Sequence, residues 1–339
     1  MDNIKCLMIL GIVLEHSLMI YGYPRWIELF WAIFISWLMP LFTLISGLFS
    51  KEYEFKTLLK KYLYPMFLFS AVNFLVGYAF NPAYKTGVHL IGYAMWYLWA
   101  LFFFVYLTPK IQRKVRLKKL LIASLLLALL FPILPDVGIG KWLNILSFNR
   151  LVGFFPFFLV GCLLKRHYTA FCKKLTALWG GILLIISMLI YIGICWKIGT
   201  IVWKSGFYLM LGGGVRFSLE IFVSYIFITL ISLSVVSVVP NCKSIFSIGG
   251  QRTINVYFLH MLVVFPLCYG LFSKLGNNFF LVGINGVLSI MLCLLFFTKC
   301  VDLWMKKILA SLTWKVLILW GFSLVLVNNH LFLRLLKQI

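Results

Sequence analysis

Apolar runs of about twenty residues, separated by short clusters of lysine and arginine, constrain this chain more than any other feature. A run of that length wound as a helix rises about 30 Å, the thickness of a bilayer's hydrocarbon core. Strict alternation, the mark of a membrane β-barrel, is missing from these runs. The chain is 63% hydrophobic and has only eight acidic residues, too little polar surface to cover a soluble domain of 339 residues. The fold class read from this is all-α: a polytopic transmembrane helix bundle of ten spans, forming a single membrane domain over residues 1–339.

The spans are expected near 6–23, 27–49, 62–80, 90–108, 118–135, 149–164, 176–196, 217–239, 253–273 and 279–300. The stretch 312–336 is either an eleventh span or an interfacial helix. The net charge of +23 could suggest a nucleic-acid partner. The distribution of the charge argues against one, because the bases fall between spans and alternate from dense to sparse. Dense loops carry Lys51/Lys56/Lys60/Lys61, Lys110 to Lys119, Lys165/Arg166/Lys173/Lys174, Lys243/Arg252 and Lys299/Lys306/Lys307/Lys315. Sparse ones carry Arg25, Lys85, Lys141 with Arg150, Lys197 with Lys204 and Arg216, and Lys274. By the positive-inside rule, the N-terminus and the dense loops lie in the cytoplasm beneath an inner membrane of bacterial type. No cleavable signal peptide is expected. The connection 197–216, with Trp203, Phe207, Tyr208 and three consecutive glycines, is expected to dip back into protein or interface. Eight cysteines without CxxC spacing read as small hydrophobes, so neither a metal site nor a disulfide is expected.

Within the first apolar run, Asp2, Lys5 and His16 form a stripe. On an ideal helix Lys5 and His16 are about 20° from superposition and roughly 16 Å apart along the axis, and Asp2 is about 40° from His16. Glu15 points about 100° away and falls off the stripe. An ionisable group inside a membrane helix is expensive and is read as functional by default.

Several motifs follow in order. Asp2-x-x-Lys5 precedes Gly11-x-x-x-x-His16-Ser17, and Met39-Pro40-Leu41-Phe42-x-x-x-Ser46-Gly47 closes the second run. Lys60-Lys61-x-x-x-Pro65, Trp96-Tyr97-Leu98, Arg150 before Phe157-Phe158-x-x-Gly161, and Tyr257-Phe258-Leu259-His260 complete the series. Together, over residues 2–260, they resemble the acyltransferase 3 family of integral membrane acyltransferases, in its fucose 4-O-acetylase-like branch. The resemblance implies transfer of an acyl group, usually acetyl from acetyl-CoA, to a hydroxyl of a cell-surface glycan or its lipid-linked precursor. The broader family usually has Arg where this chain has Lys5, and a small residue where it has Glu15. Lys cannot form the bidentate fork that Arg makes to a phosphate.

Acyl transfer to a hydroxyl needs a base near neutral pH, which suits imidazole. His16 and His260 lie at comparable depth from the same side and are the candidate catalytic pair. Lys5, Asp2 and Lys61 are the candidate donor-binding residues, with Lys5 snorkelling toward CoA phosphates. Arg150, Arg216, Glu220 and Trp96 are the candidate acceptor-binding residues on the far side. Structural readings stand beside each: His16 hydrogen-bonded across helices without chemistry, His260 as partner of a backbone carbonyl, Lys5 and Lys61 as topology signals, Asp2 as a neutraliser of Lys5 or a favourable charge at the helix N-terminus, Arg150 as an interfacial anchor, Trp96 in an aromatic belt, and Arg216 with Glu220 as an i, i+4 ion pair. Expected partners are acyl-CoA, a surface glycan or lipid-linked saccharide, the lipid bilayer and polysaccharide assembly machinery. The competing functions are a transporter for a glycan or small metabolite and a non-catalytic component of an assembly complex.

Overall fold

The computed structural model describes residues 1–18, 36–80, 95–137, 146–198, 212–240, 242–264, 266–267, 271 and 279–327. The apolar connection with Trp203, Phe207 and Tyr208 lies outside them, as do Arg25, Lys85, Lys141, Lys204 and Lys274. Among the described residues every regular element is helical. Lipid offers backbone groups no hydrogen-bond partner, so a spanning segment must satisfy them within itself.

The helices are α1 (Asp2–Leu18), α2 (Leu38–Leu48), α3 (Phe55–Phe80), α4 (Trp96–Gln112), α5 (Leu117–Leu130) and α6 (Phe148–Lys174). They continue as α7 (Ala177–Ile198), α8 (Gly214–Val238), α9 (Ile245–Gln251), α10 (Thr253–Val264), α11 (Phe279–Phe296), α12 (Lys299–Ser311) and α13 (Val316–Val327). Phe55–Phe80, Phe148–Phe171, Ala177–Lys197 and Gly214–Val238 are each long and apolar enough to cross a membrane. Large side chains such as Ile185, Leu189 and Phe222 are exposed on these helices, as lipid-facing positions require. This is a multi-pass membrane protein. Several of the ten expected spans, including 6–23, 27–49, 90–108 and 253–273, run partly through residues outside the described set.

Two boundaries differ from the sequence reading. The helix expected over 149–164 continues to Lys174, with His167 out of helical geometry (φ −125°), so Lys165 and Arg166 sit on a helix and not in a loop. Beyond the expected span 279–300, Lys299–Ser311 forms a further helix bent 68° from Phe280–Phe296. Asp302 explains where α12 rests. Its carboxylate accepts from Lys306 (2.7 Å) and from Asn255 Nδ2 (3.3 Å), and lies 4.0 Å from the Arg252 guanidinium. The Lys306 hydrogen bond, together with these neighbours, holds the Asp302 carboxyl below the ordinary carboxylate range against the opposing effect of burial.

α1 occupies the centre, against α2, α9, α10 and α11. Ile4, Met8, Ile9, Ile12 and Val13 are all buried along it. Its first turn is fastened by Asn3, whose amide donates to the carbonyls of Pro240 (2.9 Å) and Cys242 (3.1 Å). The Asn3 carbonyl oxygen accepts from the hydroxyls of Ser244 (2.8 Å) and Ser247 (2.7 Å). Gly250 lets α9 pass directly over this turn, since a Cβ there would overlap the Asp2 carbonyl. A second close crossing joins α2 to α6. Cβ atoms at Gly47 or Gly161 would overlap the carbonyls of Phe158 and Leu44 respectively. Small residues at a crossing let two membrane helices touch backbone to backbone, where dispersion is the main attraction.

Candidate active site

α1 and α10 bring His16 and His260 together across 244 residues of sequence. His16 Nδ1 is 3.1 Å from His260 Nε2, and the rings lie 20° from parallel with centroids 5.2 Å apart. The other ring nitrogen of His260, Nδ1, is 2.7 Å from the Tyr257 carbonyl and 3.1 Å from the Val256 carbonyl. His260 is fully buried, and elsewhere on the same helix Phe258 stacks on Phe69 of α3 with centroids 4.2 Å apart.

The pair lines a cavity of about 160 Å³. Ile9, Ile12, Met39, Phe42, Leu98, Leu101 and Ile254 make its walls mainly apolar, and Glu15, Tyr62, Trp96, Tyr97, Thr253 and Tyr257 complete them. Glu15 is the residue that the helical stripe left out. The stripe compared Glu15 with His16, but the cavity is centred nearer Ile12. On an ideal helix Ile12 falls between the two, about 60° from one and 40° from the other. A cavity wide enough to face all three takes in Glu15.

The Arg150 guanidinium lies over the Trp96 ring, 4.9 Å from its centroid, and Trp96 lines the cavity of the histidine pair. Its helix begins at Ser147, whose left-handed backbone (φ 53°) turns the chain sharply just before α6. The structure therefore gathers His16, His260, Trp96 and Arg150 in one neighbourhood.

Toward the first turn of α1, Tyr62 and Leu101 are shared with a second cavity of about 190 Å³. Lys5 and Lys61 line it together, with Ser46, Phe49 and Tyr53. Lys5 pairs with Asp2 at 3.0 Å and lies 5.4 Å from the Phe49 ring centroid. Lys61 donates to the Tyr53 hydroxyl (2.8 Å) and lies over that ring. It stands in a π-helical turn, Leu59–Leu63, a distortion common at functional sites. The Ser46 and Tyr97 hydroxyls, 2.7 Å apart, bridge the second cavity to the first.

Ser50, Lys51 and Val105 belong in turn to a third cavity of about 470 Å³, walled by Lys51, Lys165 and Arg166 among others. These three bases were read from sequence only as loop charges. The fold collects them because α6 carries Lys165 and Arg166 past the α2 terminus, where Lys165 donates to the Ser50 carbonyl (2.7 Å).

Arg216 and Glu220 lie elsewhere. They pair on successive turns of α8 (3.3 Å) and, with Tyr191, Cys195 and Ser224, line a separate cavity of about 370 Å³ between α7 and α8. Neither is among the residues lining the His16 cavity. Among the described residues no group of three His, Cys, Asp or Glu side chains is placed to hold a metal ion.

The family model described as an acyltransferase domain matches residues 1–301. No curated protein and no solved structure matches the chain. The matched region contains every residue of the three adjoining cavities, and the chain belongs to the acyltransferase 3 family of membrane acyltransferases.

Proposed function

We propose that this membrane acyltransferase moves an acyl group, acetyl in the simplest case, from acyl-CoA to a hydroxyl of a cell-surface polysaccharide or its lipid-linked precursor. The observation that carries this reading is the row of three adjoining cavities leading from a cluster of bases to a histidine pair. Acyl-CoA has the matching polarity along its length. Its nucleotide end carries several negative charges, its pantetheine arm is long and mostly neutral, and its reacting carbon is at the far tip. Lys51, Lys165 and Arg166 suit the phosphates, while Lys5 and Lys61 suit the pyrophosphate end of the arm. Asp2 sets the position of Lys5 through their ion pair.

In the reaction His16 removes the proton of the attacking hydroxyl as its oxygen bonds to the thioester carbonyl carbon. The carbon–sulfur bond then breaks, and the departing sulfur takes the proton from His16. Tyr97 supports the step as a hydroxyl donor on the wall of the same cavity. Trp96 with Arg150 suits the acceptor, because an aromatic face can stack on a sugar ring and a guanidinium can hold ring oxygens or a phosphate.

The alternation of dense and sparse basic loops supports an inner-membrane location, with the N-terminus and the donor cavity facing the cytoplasm. The motif series favours the fucose 4-O-acetylase-like branch. Delivery of the acceptor would then link the enzyme to polysaccharide assembly machinery.

The test is the O-acyl content of surface glycan from cells with the intact protein, with His16→Ala, and without it. Acylation per repeat unit is expected to vanish in the last two while glycan export persists. Loss of export with unchanged acylation would replace this reading with transport or assembly.

A further inference from the structure

We infer that His260 is a positioning residue that fixes the tautomer of His16, placing the catalytic lone pair on His16 Nε2. The inference rests on the acyl-transfer reading for its purpose, and on hydrogen-bond chemistry for its content.

A backbone carbonyl oxygen can only accept. His260 Nδ1 lies within bonding distance of two of them, those of Tyr257 and Val256, and must therefore carry a proton. The ring is fully buried, and the acceptors at Nδ1 are neutral. Its third nitrogen contact is with the other imidazole. An uncompensated charge in such a place is costly, so the ring is neutral and has its lone pair at Nε2. The 3.1 Å contact with His16 Nδ1 is then a hydrogen bond of one polarity: His16 Nδ1–H donates to His260 Nε2. With its proton committed at Nδ1, neutral His16 keeps its lone pair on Nε2.

Proton bookkeeping through the reaction follows. The acceptor's O–H bond breaks and an N–H bond forms at His16 Nε2, giving an imidazolium. Its Nδ1–H stays donated to His260 Nε2, so the new charge meets a lone pair held in place. The Nε2 proton then leaves on the sulfur of CoA, and His16 returns to the starting tautomer. A backbone carbonyl thus sets the direction of the whole chain. The logic is that of a serine-protease triad, with a second imidazole and a helix carbonyl in place of the orienting carboxylate.

The experiment pairs kinetics with spectroscopy on the full-length protein in lipid nanodiscs. His260→Leu removes the acceptor, whereas His260→Gln offers an amide oxygen near the former Nε2. His260→Leu is expected to lower kcat about 100-fold with both KM values within about threefold, and His260→Gln to recover at least about tenfold of that loss. ¹⁵N NMR of histidine-labelled protein is expected to show Nδ1–H tautomers for both His16 and His260. The chain has five histidines, so single substitutions assign the signals. A proton on Nε2 of His16 overturns the inference, as does wild-type kcat in His260→Leu, or equal loss in the Leu and Gln variants. Inactive wild-type protein counts against the acyl-transfer reading alone, because the tautomer signals stand apart from turnover.

Discussion

The cavity of the histidine pair and the cavity between α7 and α8 both contain ionisable side chains among membrane helices, and they are built in opposite ways. In one, His16 and His260 meet from helices 244 residues apart. In the other, Arg216 and Glu220 pair with each other on adjacent turns of one helix. A local pair of the second kind forms wherever a helix forms, since positions four apart are neighbours by geometry. A pair of the first kind forms only when the tertiary fold is right. Placing an ionisable group among membrane helices is costly in both cases, so that cost alone does not identify a reaction centre. Convergence from distant sequence, beside further cavities that share its walls, is the better discriminator.

The strongest way to break this contrast is to truncate each partner. His16→Ala is expected to lower acyl transfer by about 10³-fold or more while the protein still purifies as a monodisperse species, since it removes the proposed base. Lys5→Ala should raise the apparent acyl-CoA KM by about tenfold and change kcat much less, as read from initial rates across donor concentrations. A drop in kcat at unchanged KM would move Lys5 into the chemistry. Glu220→Gln is expected to change transfer by no more than about threefold, because its cavity is separate. A loss there as deep as that of His16→Ala would erase the distinction between the two sites. The smallest effect concerns stability. Asp302 has its carboxyl lowered in the folded state, so its contribution is fully present above the ordinary carboxylate pKa of about 4. It fades as pH falls through the lower folded value. Asp302→Asn should therefore cost about 1 kcal/mol near neutral pH and progressively less in acid, measured by thermal unfolding in detergent at several pH values.

Much of the architecture was legible because lipid permits so few backbone solutions. Apolar run length announces helices, and basic clusters divide them. The Lys5–His16 stripe and the meeting with His260 followed from helical periodicity and depth along two spans. Other inferences drawn along a single helix fell short, those for Glu15 and for Lys165 with Arg166. Glu15 looked misplaced because a helical wheel compares residues with one another and knows nothing of the width of the cavity they face. Lys165 and Arg166 looked like loop charges because a run of bases after an apolar segment reads as its end, yet the helix continues to Lys174. The bend into α12 was invisible for a related reason, since the partners that hold Asp302 in place include Arg252 and Asn255, some fifty residues upstream.

The seat of α1 has a consequence for how the protein is made. Asn3 is held by groups from residues 240–247, and His16 by residue 260, so α1 finds its place only when the chain has been made as far as residue 260. Until then Lys5 and His16 are polar groups on a helix without its tertiary partners, in a membrane that penalises them. His16 and these partners of its helix are more than two hundred residues apart in the sequence. A chain cut short before residue 260 is not a weakened enzyme but an incomplete one, because α1 then lacks the partners that seat it.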